Sequence, residues 1–217
     1  MHFQLSNLIF LGVLLSYVAI RGVFAQQTKQ NEKVVSKVDA LDRMLVLAVF
    51  IAGTLLPLVY LFTQWLSFAD YRLPPAAVWA GTGVGLVALW LFWRSHADLG
   101  RNWSITLEMR KGHELMTSGV YRTVRHPMYA AIWLLSIAQG LLLQNWLAGW
   151  AAFAAFAVLY FVRVPREEEM MHQFFGEDYH AYSETTGKVF PRFRKRPNQS
   201  LQPTAGRQED YKGEIRK

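Results

Sequence analysis

The chain has 217 residues, 52% of them hydrophobic, and carries a formal net charge of +7 with no cysteine. The lack of cysteine excludes disulfides, thiolate metal sites and a cysteine nucleophile. The excess positive charge does not point to nucleic acid, because the basic residues flank apolar runs, where retention of cationic loops and attraction to anionic lipid account for them.

Five apolar runs organise the chain: Phe3–Ile20, Met44–Phe68, Ala76–Trp93, Met128–Leu143 and Trp146–Val162. Crossing about 30 Å of hydrocarbon takes about 20 helical residues, and lipid obliges each span to be helical. If every run crosses once, 22 of the 23 Lys and Arg residues fall on one side, and Arg72 alone falls on the other. The N-terminus is then expected outside and the basic C-terminus in the cytoplasm of a bacterial inner membrane.

The first run has a rival reading. Val23-Phe24-Ala25 resembles a signal-peptidase site, but no cation precedes the apolar stretch and Arg21 follows it, so an uncleaved span is expected. Gln26–Lys37 reads as a polar connector, and Asp39 to Arg43 leads into the second span, where Pro57 predicts a kink. Pro74-Pro75 closes a short outer turn. Gly81, Gly83 and Gly85 lie within an apolar run, so they predict close helix packing and no phosphate loop. Gln144 and Asn145 alone separate the last two runs, which therefore form a tight hairpin.

The chemistry-bearing residues lie in the inner segments. Arg94–Arg125 ends in Arg125-His126-Pro127-Met128-Tyr129, with Pro127 fit for the first turn of a helix. After the last run come Arg163, Pro165-Arg166-Glu167-Glu168-Glu169 and Phe175-Gly176-Glu177-Asp178-Tyr179. Pro165 followed by glutamates looks like a helix start, with helix expected to about Glu184. Arg163 and Glu167, four apart, share one helix face. The hairpin sets both clusters at one membrane depth on one side. Taken singly, these residues also read as interfacial belt and solvated helix flanks.

In this order the motifs resemble the isoprenylcysteine carboxyl methyltransferase family and its bacterial relatives. The resemblance rests on His113-x-Leu115-x-Thr117-x-Gly119-x-Tyr121, Arg125-His126-Pro127-x-Tyr129, Glu167-Glu168, Phe175-Gly176-x-x-Tyr179-x-x-Tyr182 and Pro191, with Leu99-Gly100-Arg101-Asn102-Trp103-Ser104 ahead of them. It covers about Leu99–Pro191. Ala131 departs from the glycine of many members, and the N-terminal half carries no family motif.

The resemblance implies an all-α integral-membrane bundle of about five transmembrane helices, with a C-terminal helical hairpin and a pocket open to the cytosol. Residues 1–95 would supply three spans, 96–192 the methyltransferase core, and 193–217 a basic, disordered tail. The implied activity is methyl transfer from S-adenosyl-L-methionine to a lipophilic or lipidated acceptor. A prenylcysteine-like or other lipidic carboxylate is preferred; a phospholipid amine, a nicotinamide-dependent reductase and a non-enzymatic scaffold are the alternatives. His113, Glu114, Leu115, Met116, Tyr121, His126, Pro127, Met128, Tyr129, Glu167 and Glu168 would bind the cofactor. Arg163 would serve as the catalytic, substrate-facing residue. No metal and no nucleic acid are expected, and the remaining partner is membrane lipid.

Overall fold

The structure, a computed structural model, describes residues 4–27, 33–36, 39–100, 108–110 and 115–192. The expected tail at 193–217 lies outside the described residues. Helix α1 (Leu5–Gln27) runs through Val23-Phe24-Ala25 without a break. The second span is α2 (Ala40–Phe50), a π-helical turn (Ile51–Leu55) and α3 (Leu56–Phe62). Next come α4 (Ala76–Leu99), α5 (Pro127–Leu143), α6 (Trp146–Phe175) and the short α7 (Glu177–Thr185). Four helical stretches have the length and apolarity to cross a bilayer: Leu5–Gln26, Ala40–Phe62, Ala76–Leu99 and Trp146–Phe175. The protein is an integral-membrane helical bundle. Helix α5, at 17 residues, is shorter. It is about 26 Å long and packs between α4 and α6.

Three expectations are refined. Two short strands, β1 (Lys33–Ser36) and β2 (Glu108–Arg110), pair antiparallel, so the bundle is not purely helical. They tie together two segments assigned to the same side by charge. At Pro57 the span departs from regular α-helix. The proline lacks the N–H for a regular helical bond, and the chain widens just before it into the π turn, where the N–H of Leu56 reaches the carbonyl of Ile51. Pro165 does not start a helix. It lies inside α6, which runs 30 residues from the outer turn to Phe175. The ring removes one ladder bond, a loss that a helix held by neighbouring spans tolerates.

The glycines explain how closely the helices approach. A Cβ on Gly81 would stand 2.9 Å from the Cβ of Leu141, and one on Gly85 would stand 3.3 Å from Val13, so α4 packs on α5 and α1 within the chain. Gly140 is tighter, because a Cβ there would fall 2.6 Å from the Trp150 ring, and Gly149 faces the Gly140 backbone. Gly140→Ala should therefore lower stability by about 1–3 kcal/mol, the usual cost of overpacking, read as a lower melting temperature in detergent.

The outer turn is locked. Gln144 adopts the left-handed conformation, with φ of 49°. Asn145 is fully buried; its Oδ1 accepts from the N–H groups of Leu147 and Ala148 at 3.0 and 2.8 Å, capping α6. Its Nδ2 donates to Leu66 O and to Asp70 Oδ1. Tyr71 Oη donates to Gly140 O at 2.7 Å and accepts from Trp150 Nε1 at 2.7 Å. The hairpin of α5 and α6 is thus fixed at its outer end, and the register it sets carries to the inner end.

Candidate functional site

At the inner end of the hairpin, α7 folds back and buries Tyr179 and Tyr182. The segment after it clips onto the strand-like stretch before α5. Gly187 N donates to Thr123 O at 3.1 Å, Arg125 N to Gly187 O at 2.8 Å, and His126 N to Lys188 O at 2.9 Å. Tyr182 Oη donates to Tyr121 O at 2.6 Å. Chain positions more than 60 residues apart are therefore fastened side by side. Burial raises the Tyr121 and Tyr179 phenols above their ordinary pKa.

This closure brings the two motif clusters into contact. His126 Nδ1 lies 3.7 Å from Glu167 Oε2. Tyr129 Oη donates to Glu167 Oε1 at 2.6 Å, and Arg163 Nε donates to the same oxygen at 3.0 Å. Glu167 Oε1 thus carries two donors, and Oε2 faces His126. Glu168 points the other way. Its carboxylate is held by Arg125 Nε at 3.0 Å and Lys188 Nζ at 2.8 Å, with His126 Nε2 at 3.3 Å. Arg125 Nη1 also donates to the carbonyls of Ser183 and Thr186. Glu168 is therefore a clamp between the pre-α5 stretch, α6 and the post-α7 segment. Glu168 does not line the cavity, where the sequence placed it; Arg125, Lys188 and His126 hold it.

One cavity of about 830 Å³ runs from this cluster into the membrane region. Leu115, Met116, Tyr121, His126, Pro127, Met128, Tyr129, Arg163 and Glu167 all line it. His113 and Glu114, and the segment Arg101-Asn102-Trp103-Ser104, lie outside the described residues. Along α5 the wall is made by His126, Tyr129, Ile132, Ser136, Gln139 and Leu142, one helix face about 24 Å long. Only the first part of that face is rich in polar and aromatic groups. Ala131 is fully buried. The opposite wall comes from α1 and α2, including Val13, Tyr17, Val46 and Phe50. Helix α1 leans on α4 and α5, and α2 leans on α6. Farther out, Phe10 and Leu14 meet Leu61 and Leu142 in a buried cluster. These wall residues of α1 and α2 were not singled out in the sequence, where nothing separates a cavity-facing Val from a lipid-facing one.

Comparison with known proteins matches this architecture. Residues 82–173 match the isoprenylcysteine carboxyl methyltransferase family. The match spans under half of this chain. Protein-S-isoprenylcysteine O-methyltransferase A of Arabidopsis thaliana is 35% identical over 88 residues, covering 40% of this chain and 44% of that protein. The corresponding Dictyostelium discoideum protein is 32% identical over 88 residues, 39% of this chain and 35% of that protein. The cobalt-zinc-cadmium resistance protein CzcN of Cupriavidus metallidurans is 34% identical over 118 residues, covering 52% and 54%. The chain thus spans about half or less of the length of these relatives. The solved structure of the eukaryotic intramembrane Ras methyltransferase of this family aligns with a TM-score of 0.50 and 22% identity, over 84% of this chain and 67% of that one. That likeness bears on the fold. No group of three or more metal-ligating side chains occurs among the described residues, CzcN notwithstanding.

Proposed function

We propose that the protein is an S-adenosyl-L-methionine-dependent methyltransferase acting on the carboxylate of a lipophilic acceptor, a prenylcysteine-like or other lipidic acid. The observation that carries this reading is the contact of His126 with Glu167 at the inner end of a long apolar cavity. The relatives' names and the family match support it.

The residues present fit the methyl donor. The cavity's inner part combines one carboxylate oxygen, Glu167 Oε2, with His126, the tyrosines 121 and 129, and Met116. A carboxylate suits an ammonium or ribose hydroxyls, and aromatic faces suit a sulfonium cation. When bound, the donor supplies an electrophilic methyl group on positively charged sulfur. His126, Tyr129 and Glu167 would hold it, with Leu115 and Met116 beside them; His113 and Glu114 belong to this proposal by family resemblance alone.

Arg163 would anchor the acceptor's carboxylate. Its Nε is tied to Glu167, so it sits at the junction of the polar end and the apolar wall. A carboxylate is already nucleophilic at neutral pH, and the protein need only align it with the donor and exclude water. An apolar tail would lie along α5 after entering sideways from the bilayer between α1 and α2. We place the N-terminus outside and the C-terminus in the cytoplasm, in a bacterial inner membrane, from the distribution of cations.

The test uses two ligands and one assay. S-adenosylhomocysteine should raise the melting temperature of the detergent-purified protein, since a ligand of the folded state alone stabilises it. NADPH should not. Labelled methyl should then pass to lipophilic acids from a panel of acids and amines. A shift with NADPH alone would replace this reading by a reductase. Arg163→Gln should lower carboxylate methylation about a hundredfold or more and S-adenosylhomocysteine affinity much less, because an amide N–H can still donate to Glu167.

A further inference from the structure

The far part of the cavity is not apolar throughout. Pro57 has no N–H, and Leu56 N is directed to Ile51 O, so the carbonyl of Ala52 in the π turn has lost its helical donor. Gln139 of α5 replaces it: its Nε2 donates to Ala52 O at 3.1 Å and to Ala148 O of α6 at 2.6 Å. Both amide hydrogens are thereby used, and Oε1 is left without a donor among the described residues. Gln139 is 5% exposed and lines the cavity. Thr54, in the same π turn, lines it too. The hydroxyls of Thr63, Thr82 and Ser95 donate to carbonyls one helical turn back. Thr54 Oγ1 makes no such bond and has no partner among the described residues.

A hydrocarbon chain offers neither donor nor acceptor, so beside a plain tail these two groups stay unmatched. Their surroundings limit what matches them. The cavity's charged side chains, Arg21, Asp42, Arg43, Arg125, Arg163 and Glu167, belong to its inner end. His126 at that end lies about 20 Å along α5 from Gln139. A charged group beside Gln139 would therefore be buried without a counter-ion. A hydroxyl fits, because it donates to Gln139 Oε1 and accepts from Thr54 Oγ1 at once. We propose that Thr54 and Gln139 form a polar subsite deep in the cavity that receives an uncharged hydroxyl near the far end of the acceptor's apolar chain. The tail selected there is an ω-hydroxylated chain in preference to a plain hydrocarbon. This rests on the reading of the cavity as the seat of a lipidic acid, with its carboxylate at the inner end and its tail along α5.

The test measures equilibrium binding to the full chain in detergent with S-adenosylhomocysteine present. The probes are the ω-hydroxy acids of the dodecanoic, tetradecanoic and hexadecanoic series, each against its unsubstituted parent, with α-hydroxyhexadecanoic acid as the position control. A hydroxyl alters partition into micelles equally for every variant. The readout is therefore the hydroxy-to-parent affinity ratio of the wild type divided by that of Thr54→Val. For the best-fitting length this quotient should be about tenfold or more, the scale for leaving a buried polar group unpaired. Thr54→Ser keeps the hydroxyl and should retain most of the preference, and the α-hydroxy acid should gain nothing. Thr54→Val should melt with the wild type, because the hydroxyl it loses bonds no protein group among the described residues. A quotient near one at every length, the result if water matches the pair, overturns the proposal, and so does an equal gain for the α-hydroxy acid. Labelled methyl transfer to the same acids is run beside it. Preference without transfer would sink the methyltransferase reading and leave the subsite standing; transfer with a quotient near one would sink the subsite alone. Binding of none of these acids would end both.

Discussion

Glu167→Gln should reduce affinity for S-adenosylhomocysteine by about ten- to a hundredfold and take methyl transfer down at least as far. The carboxylate accepts from Tyr129 at 2.6 Å and from Arg163 at 3.0 Å, with His126 at 3.7 Å from its other oxygen. Glutamine keeps the shape and one acceptor oxygen but removes the charge that balances Arg163. Hydrogen bonds to charged groups contribute about 1.5–3 kcal/mol each, which sets the scale. Isothermal titration with S-adenosylhomocysteine reads the binding part, and circular dichroism verifies that the helices persist. Unchanged affinity would remove Glu167 from the cofactor site.

Arg125→Ala should be the most destabilising single change at the inner face, by about 3–5 kcal/mol. Its guanidinium joins Glu168, the carbonyls of Ser183 and Thr186, and so three separate stretches of chain. Both partners of the ion pair are largely buried, with side-chain exposures of 8% and 14%. Removing the cation leaves a buried carboxylate with only Lys188, itself half exposed, and the adjacent His126. Thermal unfolding in detergent should show a marked fall in melting temperature. Activity should fall with it, because the same clamp sets the position of His126. Arg125→Lys should restore only part of the loss, since a single ammonium cannot reproduce the planar fork.

The membrane architecture was legible because its signals are long and additive. Five apolar runs, a two-residue outer turn and the lopsided cations together forecast the bundle and the hairpin. The meeting of His126 with Glu167 followed from hairpin geometry. The structure adds the clasp of residues 186–188 on Thr123–His126, for which no periodicity exists. Glu167 and Glu168 look equivalent as neighbours in a run of acids. They part because successive helix residues point about 100° apart, so one meets the cavity and the other meets Arg125 and Lys188. Asp39 and Asp42 show the same limit, since both sit at the start of a span and either could cap it. Only the packing of α2 on α6 makes one the cap and turns the other toward Arg163.

The clasp also bears on biosynthesis. The apolar helices can enter the bilayer one after another as they leave the ribosome. The pocket's inner wall needs Gly187 and Lys188 on the stretch before α5, and Glu168 needs Lys188 as a counter-ion. A nascent chain halted at Gly176 would be threaded through the membrane yet have no completed chamber. The inner wall should therefore be complete only after Gly187 and Lys188 have been made and have folded back onto Thr123 to His126.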